Sequence, residues 1–362
     1  MRGIQTPVSE IRHKIFTEIA RVAYESDNIN DSIEAIPFKV CPGDIASYRE
    51  SIFHERAIAS ERVRLAMGMS LRPADHVVHV TSGLEESNIA EKYYEPPLMQ
   101  VIPSACNFCE DKKYEVSNMC QGCIAHPCME VCPKGAISRV KGKAVIDQEK
   151  CIKCGKCKSV CPYDAISKKE RPCSMACGVG AIGTDQYGRA KIDADKCVSC
   201  GQCLVNCPFG AISDKSQIFQ VIRAMQSGER VYAALAPAFV GQFGAKVTPG
   251  KLRSAMKMLG FADIFEVAIG ADLCATQEAE DFVQEVPNKL PFMATSCCPA
   301  WSSMAKKLYP EYRECISMAL TPMTLTARLI KEQHKNAKVV FIGPCAAKKL
   351  EAMRKSVRSE VD

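Results

Sequence analysis

Residues 151–162 read Cys151-Ile-Lys-Cys154-Gly-Lys-Cys157-Lys-Ser-Val-Cys161-Pro162, and the same frame returns in Cys197, Cys200, Cys203, Cys207 and Pro208. Both spell C-x2-C-x2-C-x3-C-P. Cys120, Cys123, Cys128 and Cys132 with Pro133 form a third run, which differs only by two extra residues before its third cysteine. A fourth is split: Cys106 and Cys109 supply a C-x2-C, and Cys173 and Cys177 supply the C-x3-C end much later. These groups hold sixteen of the 22 cysteines in the 362-residue chain, so their reading decides what the middle of the fold is built around.

The spacing is that of iron–sulfur ligands. A four-iron cubane needs one thiolate per iron; three come from a tight loop and the fourth from elsewhere, and in two-cluster ferredoxins the fourth cysteine of each run serves the other cluster. Applied here, the rule gives one 4Fe-4S cluster on Cys120, Cys123, Cys128 and Cys161 and its partner on Cys151, Cys154, Cys157 and Cys132. The remaining eight put a third on Cys197, Cys200, Cys203 and Cys177 and a fourth on Cys106, Cys109, Cys173 and Cys207. Zinc would take four thiolates without the C-x2-C-x2-C crowding, and disulfides would call for a secretory signal, which is absent. His126 stands among the ligands and reads as a surface residue rather than a ligand.

A repeat supports the pairing. Each fourth cysteine opens a similar segment: Cys132-PKGAI, Cys161-PYDAI, Cys177-GVGAI and Cys207-PFGAI. Cys177 therefore holds a fourth-ligand position although Gly178 replaces the proline. The region reads as one ferredoxin unit (120–166) inserted into another (106–212).

With 47% hydrophobic residues the chain can build two or three cores. The opening MRGIQTPVSEIRHK has no apolar run after its basic residues, so neither a secretory signal nor a membrane span is indicated, and the thiols are placed in a reducing, cytoplasmic compartment. A net charge of +6 without a basic block disfavours nucleic acid; an acidic electron carrier is the better reason for the charge.

Residues 1–95 carry two helical stripes, one through Ile11, Ile15, Phe16, Ile19 and Val22 and one through Ile52, Phe53, Ala57 and Ile58 running to Met67. Cys41 in VCPGD reads as a turn, and DHVVHV, if a strand, holds His76 and His79 on opposite faces. Tyr93-Tyr94-Glu95-Pro96-Pro97 reads as a linker into the cysteine region, 96–215. In 216–362 the pattern alternates. Val231–Phe239, Phe265–Ile269, Phe292–Thr295 and Lys338–Ile342 read as strands, and helices are expected from Thr248 to Gly260, over Cys274–Val286 and over Met323–His334. Such alternation implies a parallel sheet with helices on its faces. The fold class is thus α+β and multidomain: a helical N-terminal segment, nested ferredoxin-like units, then an α/β domain.

Two cysteine motifs follow strands: Cys297 and Cys298 in TSCCPAW, and Cys345 in GPCAAKKLE. Ligands of an open α/β sheet gather at strand carboxyl ends, so the two can share a site; buried free cysteines are also common. Glu278 borders an apolar stripe of Ala279, Phe282, Val283 and Val286, with Asp281 further round, and a solvated acidic face is the plainer reading of that pair.

Taken whole, TSCCPAW and PCAAKKLE resemble the first two of three signature motifs of the iron-iron hydrogenases, from about Val231 onward. The resemblance implies a catalytic H-cluster whose cubane half is held by Cys298 and Cys345, with Cys297 passing protons to its di-iron half. It implies Lys348 facing an iron-bound cyanide, contacts from Ala236, Pro237, Ala238, Thr321, Pro322, Met323 and Pro344, and a proton route through Glu278, Ser317 and Asp281. The implied activity is reversible H2 oxidation, with protons as the other substrate, ferredoxin or a similar acidic carrier as partner, and maturation proteins to load the cofactor. Family members commonly have other residues at Ala300, Ala238, Met323, Gly343 and Glu285, which suggests a less typical subgroup. No cysteine follows Cys345, so the third motif is missing and the sequence is expected to be a fragment. The alternative is a multi-cluster electron-transfer or sensor protein with a catalytically empty hydrogenase-like domain.

Overall fold

A computed structural model describes residues 4–87, 98–353 and 358–362; the expected linker at 93–97 and the boundary at 95 lie outside the described residues. Eight helices of eight residues or more are described: α1 (Pro7–Glu25), α2 (Ile52–Ala66), α3 (Ile218–Gln226), α4 (Pro249–Met258), α5 (Val267–Glu285), α6 (Pro299–Leu308), α7 (Pro322–Gln333) and α8 (Ala346–Met353). The strands are β1 (Met99–Val101), β2 (Lys113–Val116), β3 (Ile137–Val140), β4 (Lys143–Ile146), β5 (Ile166–Lys169), β6 (Ile182–Thr184), β7 (Ala190–Ile192), β8 (Ile212–Asp214), β9 (Val231–Leu235), β10 (Asp263–Glu266) and β11 (Lys338–Ile342).

α1 starts where Thr6 accepts a hydrogen bond from the Ser9 N–H and Pro7 occupies a position whose N–H has no helical partner. Its buried stripe, Ile15, Ile19 and Val22, is the expected one. α2 is buried over most of its length and serves two cores. Ala59, Val63 and Ala66 pack with α1, Phe219 and Ile222, while Ile58 and Leu65 pack with Leu98, Ile102, Cys207 and Ile212 of the cysteine-rich region. The N-terminal helices therefore share a core with that region.

DHVVHV is irregular, not a strand. Three of its carbonyls go to side chains: Arg64 Nη1 donates to those of His79 at 3.1 Å and Val80 at 2.9 Å, and Arg72 Nη1 to that of Val78 at 3.4 Å. Backbone acceptors so satisfied need no ladder.

In the cysteine region, β2 pairs antiparallel with β5 and encloses the hairpin β3–β4. β1 pairs antiparallel with β8 and encloses the hairpin β6–β7. The two arrangements match, and the first lies in sequence between β1 and β6.

The last third is built on a parallel sheet in the order β10-β9-β11, with β9 buried throughout. α4 and β11 fall where expected, with Thr248 capping α4 and Gly260 at φ +109° after it. Three boundaries differ. β9 stops at Leu235 because Pro237 cannot donate to a ladder, and a short 3-10 turn, Pro237–Phe239, replaces the expected strand end. β10 ends at Glu266 and α5 begins at Val267, so part of the expected strand is helix. Gly270 explains why: a Cβ there would lie 2.7 Å from the Pro322 carbonyl oxygen, and this close approach to α7 outweighs β-propensity. Phe292–Thr295 forms only an isolated parallel bridge, Ala294 to Ile316. α5 also leaves Phe282 and Val283 exposed, so the expected apolar stripe is not core; its buried residues are Val267, Gly270 and Cys274.

Candidate metal centres

The four C-x2-C loops share one backbone device. The second residue between the cysteines takes a left-handed conformation in all of them: Phe108 (φ +49°), Gly122 (+61°), Lys153 (+58°) and Ser199 (+53°). Three of these are not glycine, so local strain is accepted to turn the loop tightly. The Lys153 and Ser199 N–H groups then point at Cys151 Sγ and Cys197 Sγ at 3.4 Å. The loop of Cys106 and Cys109, far in sequence from its downstream half, has the same turn as the others.

The fourth cysteines share another. The third residue after each is left-handed: Gly135, Asp164, Gly180 and Gly210. The alanine that follows aims its N–H back at sulfur, from Ala136 to Cys132 and from Ala181 to Cys177 at 3.2 Å, and from Ala211 to Cys207 at 3.3 Å. The isoleucine after it is buried and opens β3, β5, β6 and β8. The GAI repeat thus encodes a turn, a sulfur-directed donor and a core anchor.

Cys120, Cys123, Cys128 and Cys161 line one small pocket with Arg139 and His126. His126 is not a surface residue: it is half-buried, and among the described residues its Nε2 is buried without a hydrogen-bond partner. Burial pushes the Cys203 thiol up to about 12, with Cys197, Cys200 and Cys177 adding to the rise. The Cys173 thiol is pushed up to about 11 by burial and by Cys207 and Cys106, and Cys109 rises through burial and the same two neighbours. Cys157 rises through burial and its neighbours Cys151 and Cys154, and Cys132 packs in the same core. Cys120 runs the other way, lowered by the N–H groups of Ala144 and Gly122. Neighbouring thiols, most of them buried or half-buried with Cys154 and Cys200 exposed, and backbone donors aimed at several sulfurs suit a cluster whose thiolates and sulfides need N–H partners.

On the last domain, Cys298 is the residue before α6 and Cys345 the residue before α8. The helices meet: Ala300 and Ala347 are buried in one core with Cys345 and Met304, completed by Val198 and Val179 of the cysteine region. Val198 lies between Cys197 and Cys200, so this rim abuts the third group of thiols. Cys297 and Cys298 are exposed, as are Pro237, Ala238 and Pro344 beyond β9 and β11, while Ala236, Thr321 and Met323 are buried and Pro322 half-buried. Thr321 caps α7.

Glu278 Oε1 accepts from the Ser296 N–H at 3.3 Å, which fixes the carboxylate beside Cys297. Ser317 is buried and its hydroxyl accepts from the Ala319 N–H at 3.1 Å; Asp281 accepts from Gln277 on its own helix at 2.9 Å. Among the described residues no hydrogen bond joins Glu278, Ser317 and Asp281. Lys348 Nζ pairs with Glu351 Oε2 at 2.8 Å, both largely buried. Sequence reasoning passed over Glu351, and also Cys274, whose Sγ donates to the Leu320 carbonyl at 2.9 Å. Burial raises the Cys274 thiol, Glu278 and Cys297 raise it further, and Lys348 opposes them, so all four groups face one place. The signal was there: Cys274 stands one helical turn before Glu278.

Cysteines at this spacing on paired two-stranded sheets mark an iron–sulfur protein of ferredoxin type. Residues 144–167 and 189–212 match 4Fe-4S binding domains, and residues 229–362 match the C-terminal domain of the iron only hydrogenase large subunit. Iron hydrogenase 1 of Clostridium pasteurianum is 35% identical over 164 residues, 40% of this chain and 28% of that protein. Electron transport protein HydN of Escherichia coli (strain K12) is 44% identical over 64 residues, 18% of this chain and 37% of that one. Uncharacterized ferredoxin MJ0155 of Methanocaldococcus jannaschii is 30% identical over 105 residues, 24% of this chain and 70% of that one. The chain thus joins segments that match 4Fe-4S ferredoxin domains to a last third that matches the C-terminal domain of the iron only hydrogenase large subunit. It spans between 25% and 32% of the length of three hydrogenases that it matches. Among the described residues no helix is long and apolar enough to cross a membrane.

Proposed function

We propose that this protein serves reversible H2 oxidation, carrying electrons through four 4Fe-4S clusters held by the quartets set out above. The observation that carries the reading is the meeting of α6 and α8, which brings the residues behind Cys298 and Cys345 into one core against Val198. Cys298 and Cys345 would be two thiolate ligands of an H-cluster cubane. When bound, the di-iron half of that cofactor supplies the cleavage and formation of H2.

This chain's own residues do the rest. Cys297, exposed beside the ligand Cys298, is placed to hold a proton, and Glu278, anchored by Ser296, is placed to receive it. Lys348 brings a buried positive charge, paired with Glu351, to the place that Cys274 and Glu278 also face. Ser317 and Asp281 are assigned the outward end of the proton route. The cluster on Cys177, Cys197, Cys200 and Cys203 is the one nearest the rim, since Val198, between Cys197 and Cys200, shares a core with Ala347 and Cys345. The partner on the outer side is a ferredoxin or similar acidic carrier.

HydN, an electron transport protein, is the relative that favours a second reading as a carrier or sensor without H2 chemistry. Expression with hydrogenase maturation proteins, followed by infrared spectroscopy and viologen-linked H2 uptake, separates the two. Bands of iron-bound CO and CN with H2-dependent dye reduction support the enzyme; clusters without either favour the carrier.

A further inference from the structure

Arg62 is 5% exposed in the middle of α2, and its guanidinium is only partly used. Nη2 donates to the Gly210 carbonyl oxygen at 2.6 Å, but Nε and Nη1 are buried with no hydrogen-bond partner among the described residues. Among the described residues no carboxylate forms an ion pair with it. The two buried acids of the helix are otherwise engaged, Glu55 by the N–H groups of Ser47, Tyr48 and Arg49 and Glu61 by Arg72. The neighbouring charges that reach Arg62 include Arg12 and Arg49, which repel it, while Cys207 and Tyr48 are the groups that would attract it if ionised. Burial pushes it down to about 10, which still leaves it protonated at neutral pH. A buried cation without an anion is a cost that folded chains carry only when another group offsets it.

The site to which Arg62 is pressed explains the imbalance. Gly210 closes the turn after Cys207, and a Cβ there would meet Arg62 Nη2 at 2.6 Å and Val8 Cγ1 at 2.7 Å, so α1 and α2 both lie directly on this turn. Arg49 from the same region donates to the carbonyls of Ala105 and Phe209, which precede Cys106 and follow Cys207. Arg171, before Cys173, is also buried, but it is paired with Asp111 at 3.0 Å. Two arginines of the N-terminal helical layer thus converge on the quartet Cys106, Cys109, Cys173 and Cys207, and Arg62 keeps two buried donor nitrogens without a partner among the described residues.

We propose that Arg62 is the counter-charge of the iron–sulfur cluster on Cys106, Cys109, Cys173 and Cys207, and that it raises that cluster's reduction potential. This rests on the ligand assignment proposed above. A cubane bound by four thiolates is anionic and gains one further negative charge on reduction, so a fixed cation beside it in a low-dielectric setting favours the reduced form. It also gives the N-terminal helices a task beyond packing: they insulate and tune this quartet.

The test uses the full 362-residue chain, reconstituted anaerobically with iron and sulfide, with iron and sulfide counts and an EPR-monitored redox titration as readouts. Cys173→Ser first identifies the signal that belongs to this quartet. If it removes no cluster, the ligand assignment fails and the inference falls with it. With that signal identified, Arg62→Met should keep full iron content and shift its reduction equilibrium at least tenfold toward the oxidised form, about 59 mV for one electron. Arg62→Lys, which keeps the charge, should hold its potential near wild type. An unmoved potential in Arg62→Met at full loading overturns the role of Arg62 while leaving the ligands standing. Should Arg62→Met fail to load, Arg62→Lys decides, and a loaded Lys variant shifted by tenfold or more overturns the proposal.

Discussion

Asp214, the last residue of β8, and Lys349, on α8, form an ion pair of 2.7 Å that ties the cysteine region to the hydrogenase-like domain. The other carboxylate oxygen of Asp214 lies 3.1 Å from Arg12 Nη2 on α1, so three parts of the chain meet on one side chain. Burial alone would raise the Asp214 carboxyl, but Lys349 and then Arg12 outweigh it and hold it below the usual carboxylate range. A depressed folded-state pKa contributes stability above the unfolded value of about 3.9 and loses it as pH falls. Asp214→Asn should therefore cost about 1–3 kcal/mol at pH 7, with Arg12 and Lys349 partly solvated. The difference from wild type should shrink below about pH 4. Thermal melts across pH check this, and a penalty that grows toward acid contradicts it.

Glycine is needed at Gly122 for two reasons that can be separated. A Cβ would lie 2.1 Å from the Gly142 carbonyl oxygen, and the residue is left-handed. Gly135 has the same left-handed backbone with nothing within 4 Å of a Cβ. Gly135→Ala should cost only about 1–2 kcal/mol of backbone strain and keep every cluster. Gly122→Ala should displace the Cys120–Cys123 loop and lose one cluster's iron. Equal iron contents in the two variants would contradict this.

The legible and illegible parts of this fold divide by range. Cluster loops are local, so spacing revealed the quartets, and the GAI repeat marked turns that the structure resolves into left-handed residues, sulfur-directed N–H groups and buried isoleucines. Lys338–Ile342 and the Thr248 cap were equally readable. What failed depended on distant partners. Val267–Ile269 has the look of a strand, yet Gly270 must meet Pro322, and DHVVHV lost its ladder to Arg64 and Arg72. Arg62, a charge in an otherwise ordinary helix, has no meaning until Gly210 is beside it.

The rim makes unequal claims for its acids. Glu278 is held by Ser296 next to Cys297, whereas Asp281 is engaged by Gln277 on its own helix. In matured enzyme, Cys297→Ala and Glu278→Gln should each lower H2 turnover by about 100-fold or more, the usual scale for a lost proton-transfer group. Asp281→Asn, at the outward end of the same route and engaged by Gln277, should lower it less than either. Infrared bands and iron content should be intact in all three, so that a fall in rate reports proton handling and not an empty site.

Gly270 is the place where helix propensity and packing give opposite signs. Alanine is the better helix former by about 1 kcal/mol, so on α5 alone Gly270→Ala should stabilise. The added methyl, however, would lie 2.3 Å from Thr326 Oγ1 and 2.7 Å from the Pro322 carbonyl oxygen, to which Thr326 itself donates at 2.8 Å. Overpacking of this kind costs about 1–3 kcal/mol, so the net effect should be a loss of stability. Thr326→Ala removes the nearer obstacle but leaves the carbonyl, and the double variant should recover only part of the loss. A double-mutant cycle by thermal unfolding reads the coupling directly. Additive effects would mean that α5 and α7 can separate without consequence, and the packing account of why α5 begins at Val267 would fail.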